Sequence, residues 1–184
     1  MLSIRKYELK DKEGVRNACL NSEGEGNMPP ETCEFVLHIF CDYYTENEPD
    51  NCFVLDDDGK AVGYILCAEN FDIFHEKFRT HYLPAILPLG ENRHQWAINS
   101  IFLHEKYKEE YPAHLHVDLL PDYQRQGWGT KLMSALFEQL RKKGVSGIML
   151  TAGISNESGK NFYRKHGFTE METHITDVAF GIKL

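Results

Sequence analysis

The segment from Pro121 to Thr130, Pro-Asp-Tyr-Gln-Arg-Gln-Gly-Trp-Gly-Thr, constrains this chain more than any other. An alternating apolar run, Ala113 to Leu120, precedes it, and an amphipathic run, Gly129 to Lys143, follows it. The apolar period changes from two to 3.6 across a pair of glycines, which predicts a strand, a tight turn and a helix. The first turn of a helix has N–H groups with no intrahelical acceptor, and the helix dipole adds partial positive charge there. Such a turn binds phosphate, so the expected ligand is a phosphorylated cofactor. A plain turn with close helix packing would use the same Gly127 and Gly129.

The rest of the chain supplies a mixed set of elements. Leu2 to Leu9 reads as a strand and Lys10 to Leu20 as a helix. Asn21 to Pro30, with its glycines and prolines, reads as a mobile loop. Glu31 to Thr45 has Phe35, Val36, Ile39, Phe40 and Tyr43 at helical spacing. Cys52 to Leu55 and Ala61 to Ala68 flank Asp56-Asp57-Asp58-Gly59-Lys60, a strong hairpin signal. Phe71 to Leu89, broken by Pro84 and Pro88, reads as a helical excursion over one edge of the sheet. Asn92 to Tyr107 fits a helix or a loop. Val145 to Thr151 reads as a strand, Glu157 to His166 as a helix closed by Gly167, and Phe168–Met171 and Ile175–Ile182 as closing strands. The order predicts a single domain over residues 1–184, of α/β (α+β) class, with a largely antiparallel sheet whose middle is parallel.

Composition narrows the function. The 184 residues carry a net charge of −8 and are 42% hydrophobic, ordinary for a soluble globular domain. No apolar run approaches a membrane span. The N-terminus opens directly into a strand-like segment, so the expectation is a cytoplasmic protein with no membrane partner. The acidic whole disfavours nucleic acid. Residues 121–184 are locally basic, with nine Lys/Arg against six Asp/Glu, which suits a small polyanion. The five cysteines are scattered without a CxxC pair and read as reduced thiols; no metal site is expected.

Two motifs then carry a family resemblance. Gln124-Arg125-Gln126-Gly127-Trp128-Gly129 is similar to the acyl-CoA signature Gln/Arg-x-x-Gly-x-Gly/Ala of the GCN5-related N-acetyltransferase (GNAT) superfamily. Some thirty residues later, Asn156-Glu-Ser-Gly-Lys-Asn-Phe-Tyr163-Arg-Lys-His-Gly-Phe168 resembles its second motif, with Gly159 in place of the usual Ala. Within the superfamily, Tyr111 to Gly127 resembles the acetyltransferase-like domain fused to some O-GlcNAc hydrolases. The resemblance implies a GNAT fold: a central mixed, mostly antiparallel sheet of about seven strands flanked by helices, with a splayed parallel pair at the cofactor site. It also implies acetyl-CoA (CoA) as cofactor and a small-molecule or protein amine as acceptor. Pairing through the late strands would give a homodimer. The leading expectation is acetyl transfer to a primary amine by direct attack in a ternary complex. The rival is a degenerate CoA-binding or protein-interaction module.

The resemblance assigns roles to named positions. Backbone groups of Gln124, Arg125, Gln126, Gly127, Trp128, Gly129 and Thr130 would hold the cofactor's phosphates, and those of Leu119 and Leu120 its pantetheine arm. Asn156 would touch that arm or simply cap a loop. Tyr163 would protonate the departing thiolate; a phenol near ~10 can donate to a thiolate near ~8.5. For the base, strand alternation puts His114, His116 and Asp118 on one face. A bulge, usual in this strand of the family, would change that parity. His116 and Asp118 are the candidates, with Asp118 alternatively binding the substrate ammonium and Glu91, His94 and Glu105 weaker choices. Phe71, Phe74, Phe78, Tyr82 and Trp96 would wall the acceptor pocket or fill the core.

Overall fold

The structure, a computed structural model, describes residues 1–24, 26 and 28–184. The expectation of a mobile loop over Asn21 to Pro30 falls partly on Glu25 and Asn27, outside the described residues. In chain order the elements are β1 (Leu2–Lys6), α1 (Lys12–Asn21), α2 (Pro30–Phe40), α3 (Asp42–Asn47), β2 (Phe53–Asp57), β3 (Lys60–Ala68), α4 (Phe71–Lys77), α5 (Leu83–Ile86), α6 (Glu91–Ser100), α7 (Phe102–Tyr107), β4 (Ala113–Leu119), α8 (Trp128–Lys142), β5 (Gly147–Gly153), α9 (Glu157–Lys165), β6 (Thr169–His174) and β7 (Asp177–Lys183). No helix among them is long and apolar enough to cross a membrane.

The seven strands form one sheet in the order β1-β2-β3-β4-β5-β7-β6. Every pairing is antiparallel except β4 with β5, which is parallel. That pair is in register only at Ala113 with Ile148 and His114 with Met149. Beyond His114 the two strands part, and the gap between them positions the site. β4 stays in unbroken register on β3 from His114 to Leu119, so the expected bulge is absent there and the alternation is kept.

Alternation divides the core. One face of the sheet, including Phe53, Ile65, Leu115 and Leu150, packs on α8. That helix inserts Leu132, Met133, Leu136, Phe137 and Leu140, spaced three and four residues apart. Full burial of such side chains stabilises by about 1.5–3 kcal/mol each. The other face, including Val54, Tyr64 and Leu66, packs on residues of α1 to α4, with Tyr82 and Ile86 further along.

Two sequence expectations change among these helices, and one left open between helix and loop is resolved. The helix read over Glu31 to Thr45 breaks at Cys41, whose backbone leaves the helical region at φ −134°, ψ −62°. The segment Asn92 to Tyr107 is helical, as α6 and α7. The excursion from Phe71 to Leu89 is helical too, with a π turn at Phe78–Tyr82. It does not lie over a sheet edge. Phe74 meets His114 of the central strand edge to face at 4.5 Å, because its aromatic side chains need the widest apolar surface to bury.

Candidate functional site

A cleft of about 570 Å³ opens where β4 and β5 part. Residues from the end of α1 (Ser22, Glu23), from β4 (Val117, Asp118, Leu119), from the turn before α8 and from α9 line it. Arg125 and Gly127 both take positive φ, 58° and 84°. These alternations curl the backbone so that the turn feeds straight into α8. The space around a Cβ at Gly127 is open, so its need for glycine is conformational. Gly129 is different. A Cβ there would stand 3.2 Å from the Phe162 ring, so glycine lets α8 approach α9.

The first residue past the turn to find a helical acceptor is Lys131, whose N–H donates to the Gly127 carbonyl at 3.3 Å. The N–H groups at the start of α8 therefore have no intrahelical partner and form, with the dipole, a seat for an anion. Arg125 and Lys165 line the same cleft and add charge.

The other turn residues have local duties. The Gln124 amide donates to the Ser22 carbonyl at 2.7 Å and the Leu119 carbonyl at 2.8 Å, tying the turn to α1 and β4. Gln126 is exposed and donates to the Asp122 carbonyl at 2.6 Å. The Trp128 ring sits under Lys131 Nζ at 3.8 Å. The Thr130 hydroxyl bonds His166 Nε2 at 2.9 Å. His166 Nδ1 donates to the Phe162 carbonyl at 2.7 Å, so the imidazole bridges α8 and α9.

Backbone direction decides which β4 groups face the gap. The Leu120 N–H donates to the Val62 carbonyl on the β3 side at 2.9 Å. Leu120 also packs into the α1 side of the core. In an antiparallel pair successive residues point their backbone groups to opposite sides. Leu119 and Val117 therefore turn theirs toward the parted β5. Of the two leucines expected to hold a pantetheine arm, Leu119 faces the cleft and Leu120 is engaged by β3.

Asn156 caps α9, its Oδ1 accepting from the Gly159 N–H at 2.8 Å. A Cβ at Gly159 would come within 2.7 Å of the Asn156 amide, which accounts for the departure from Ala in the motif. Tyr163 lines the cleft and is braced by Phe168 and Phe180 at 5.9 and 5.8 Å. Burial, and then the charge of Asp118, raise its pKa above the ordinary phenol value, so it stays protonated at neutral pH.

The His114–His116–Asp118 row does share one face, but it serves two cavities. Asp118 lies in the cleft. Its Oδ2 accepts from the Tyr64 hydroxyl at 2.6 Å. Burial pushes its pKa up to about 6; the Tyr64 and Ser22 hydrogen bonds oppose that shift and Glu23 adds to it. His114 and His116 line a second cavity of about 150 Å³ on the α2–α7 side. Both present Nε2 to the Tyr44 hydroxyl at 3.0 Å. Burial, helped by the neighbouring His104, lowers His116 to about 3, and burial drives His114 well below its ordinary value. Both are neutral at pH 7 and weak as bases.

Phe74, Phe78 and Trp96 line the second cavity, whereas Phe71 and Tyr82 are buried without lining it. Glu91, His94 and Glu105 line neither cavity. The sequence reading missed Tyr44, Tyr64 and His104. Tyr44 and Tyr64 fall in apolar runs that read as core, and His104 falls in the segment read as helix or loop. Lys165 and His166 sit inside the second motif, which was the available signal for them.

Among the described residues, a mixed seven-stranded sheet parted at the parallel pair β4 and β5, with the N-terminus of α8 opening at the parting, defines the class of protein. The chain belongs to the acetyltransferase (GNAT) family, a family of acyltransferases, which it matches over residues 17–168. It is similar to the [ribosomal protein bS18]-alanine N-acetyltransferase of Escherichia coli (strain K12), at 42% identity over 50 residues, 27% of this chain and 34% of that protein. The chain thus spans about a third of the length of the curated relatives it matches first. Its fold is similar to the crystal structure of SsHAT, with TM-score 0.88 and 27% identity over 99% of this chain and 98% of that one. It is also similar to the PaiA N-acetyltransferase from Thermoplasma acidophilum in complex with coenzyme A, with TM-score 0.63 and 18% identity over 100% of this chain and 99% of that one.

Proposed function

We propose that this chain is an acetyl-CoA-dependent N-acetyltransferase that transfers acetyl to a primary amine by direct attack in a ternary complex. One observation carries the reading: the anion seat of the α8 turn, the outward backbone of Leu119 and the Tyr163 hydroxyl all belong to one cleft. The solved complex of PaiA with coenzyme A supports the cofactor's identity. Acetyl-CoA supplies an activated acetyl thioester. Backbone N–H groups from Arg125 to Thr130, with Arg125 and Lys165, hold its phosphates. Val117 and Leu119 offer backbone hydrogen bonds to the pantetheine arm, with Asn156 beside it. The N–H of Leu119 stabilises negative charge on a carbonyl oxygen in the gap.

Asp118 is the base. A carboxylate near 6 is better matched to neutral operation than an imidazole near 3. Tyr163 is the acid, held protonated beside the cleft. His116 is a hydrogen-bonding wall in this reading.

Calorimetric titration with acetyl-CoA, with CoA and ATP as controls, tests the cofactor; the expected affinity is micromolar, and no heat would remove it. Tyr163→Phe tests the acid, with turnover expected to fall on the order of 100-fold or more and acetyl-CoA affinity to stay within about twofold. Equal turnover removes Tyr163 from that role. A second reading, a CoA-binding module without transfer, is favoured by the locking of both β4 histidines on Tyr44 and by the resemblance to the domain of O-GlcNAc hydrolases. Tight CoA binding with no thiol release over a broad amine panel would establish it.

A further inference from the structure

The second cavity is lined by aromatic rings and one acid. Phe40, Tyr44, Phe74, Phe78 and Trp96 supply the rings, and Asp177 of β7 is the single carboxylate. The lining holds no lysine, arginine or glutamate, and the imidazoles that complete it are neutral. Asp177 Oδ2 accepts from the Thr176 hydroxyl at 2.8 Å, and no cationic side chain pairs with this carboxylate among the described residues. Trp96 is 39% exposed and Asp177 half-buried, so the cavity opens to solvent beside them.

Shape narrows what can enter. The volume, about 150 Å³, takes a group of benzene's bulk. Flat rings do not suit the walls. Phe40 is inclined to Trp96 by 68° and to His116 by 79°, and Tyr44 is inclined to His116 by 76°. The nearly parallel pairs, Tyr44 with Phe74 and Phe74 with Phe78, have ring centres 6.1 and 5.2 Å apart and are already stacked on each other. Steeply inclined walls make a box, which suits a compact, rounded group.

Charge and hydrogen bonding narrow it further. A cation is attracted both by the negative faces of aromatic rings and by an unpaired carboxylate. A primary ammonium also brings three N–H donors. The Tyr44 hydroxyl already stands 3.0 Å from two imidazole nitrogens, and the Ser100 hydroxyl donates to the Ala97 carbonyl at 2.8 Å. A donor left without an acceptor here would lose its hydration uncompensated. A quaternary ammonium has the charge and the bulk, and no donor.

We propose that this cavity binds a trimethylammonium group, seated among the rings of Phe40, Phe74 and Trp96 and faced by Asp177. Such a group ends a choline-type small molecule or a fully methylated lysine side chain. The cavity shares no lining residue with the cofactor cleft, so the group is held for recognition and not for reaction. The proposal is independent of the acetyltransferase reading.

Proton NMR titration of the whole chain, without cofactor, compares choline with its uncharged carbon counterpart 3,3-dimethylbutan-1-ol and with ethanolamine. Choline is expected to bind at least about tenfold more tightly than either. Nα-acetyl-Nε-trimethyllysine amide separates the two sources. Tighter binding than choline assigns the site to a protein side chain, and weaker binding to a small molecule. Asp177→Asn keeps an acceptor for the Thr176 hydroxyl and should weaken choline at least about fivefold, with 3,3-dimethylbutan-1-ol changed by no more than about twofold. Trp96→Ala should weaken choline and Trp96→Phe should restore part of the loss. Acetyl-CoA affinity in calorimetry should be unchanged in all three variants. The proposal is overturned if neither methylated probe binds, or if 3,3-dimethylbutan-1-ol or ethanolamine binds as tightly as choline. Unchanged choline affinity in a folded Asp177→Asn variant overturns it as well.

Discussion

Asp118→Asn should make the protein more stable at pH 8. The carboxylate sits on β4 facing Tyr64, Ser22 and Glu23, and burial raises its pKa from an ordinary 3.8 to about 6. At 1.36 kcal/mol per pKa unit, that raise corresponds to about 3 kcal/mol. The sign follows from proton uptake. Between pH 3.8 and 6 the unfolded chain has released this proton and the native chain retains it. Stability from the neutral carboxyl is therefore fully present below 3.8 and is lost as pH rises through about 6. Asparagine keeps an acceptor for the Tyr64 hydroxyl and has no charge to bury. The difference between variant and wild type should be near zero at pH 4 and grow to as much as about 3 kcal/mol above pH 7. With a urea slope of about 2 kcal/mol per molar, the midpoint would move up by about 1 M or more at pH 8. Urea unfolding at pH 4, 6 and 8 reads this directly. A midpoint that does not rise at pH 8, or a gap that does not change with pH, refutes the reasoning. The same variant should lose most of its turnover if Asp118 is the base.

Further perturbations reach other parts of the site. Gly127→Glu places a carboxylate in the anion seat at φ 84°; acetyl-CoA binding should be abolished in calorimetry, while the left-handed backbone costs only about 1–2 kcal/mol of stability. Gly159→Ala drives a methyl group against the Asn156 amide and should disturb the α9 cap, lowering stability by about 1 kcal/mol in thermal unfolding. Tyr44→Phe strips two buried imidazole nitrogens of their shared hydroxyl, and at about 1–3 kcal/mol each the loss should be about 2–6 kcal/mol in chemical denaturation.

The sequence by itself determined the parts set by local rules. Two glycines at a change of period placed the turn before α8, and spacings of three and four fixed that helix's buried face. Alternation put His114, His116 and Asp118 on one face, and the unbulged register of β4 on β3 kept them there. The family followed from two motifs because backbone geometry at a phosphate-binding turn and close packing of α9 each demand particular residues at particular spacings.

Only the tertiary structure decided how those residues divide. It sent Asp118 to the cleft and the two histidines to a separate cavity, because Tyr64 and Tyr44, from β3 and α3, arrive at different heights along β4. It turned Gln124 into a brace and Leu120 toward β3. It brought His104 from α7 beside His114, ring centres 4.9 Å apart. Turn chemistry and periodicity act between near neighbours, so a sequence displays them. Burial, the acidity it sets and the pairing of distant hydroxyls with imidazoles depend on which segments meet across the sheet, and that is settled only when the chain has packed.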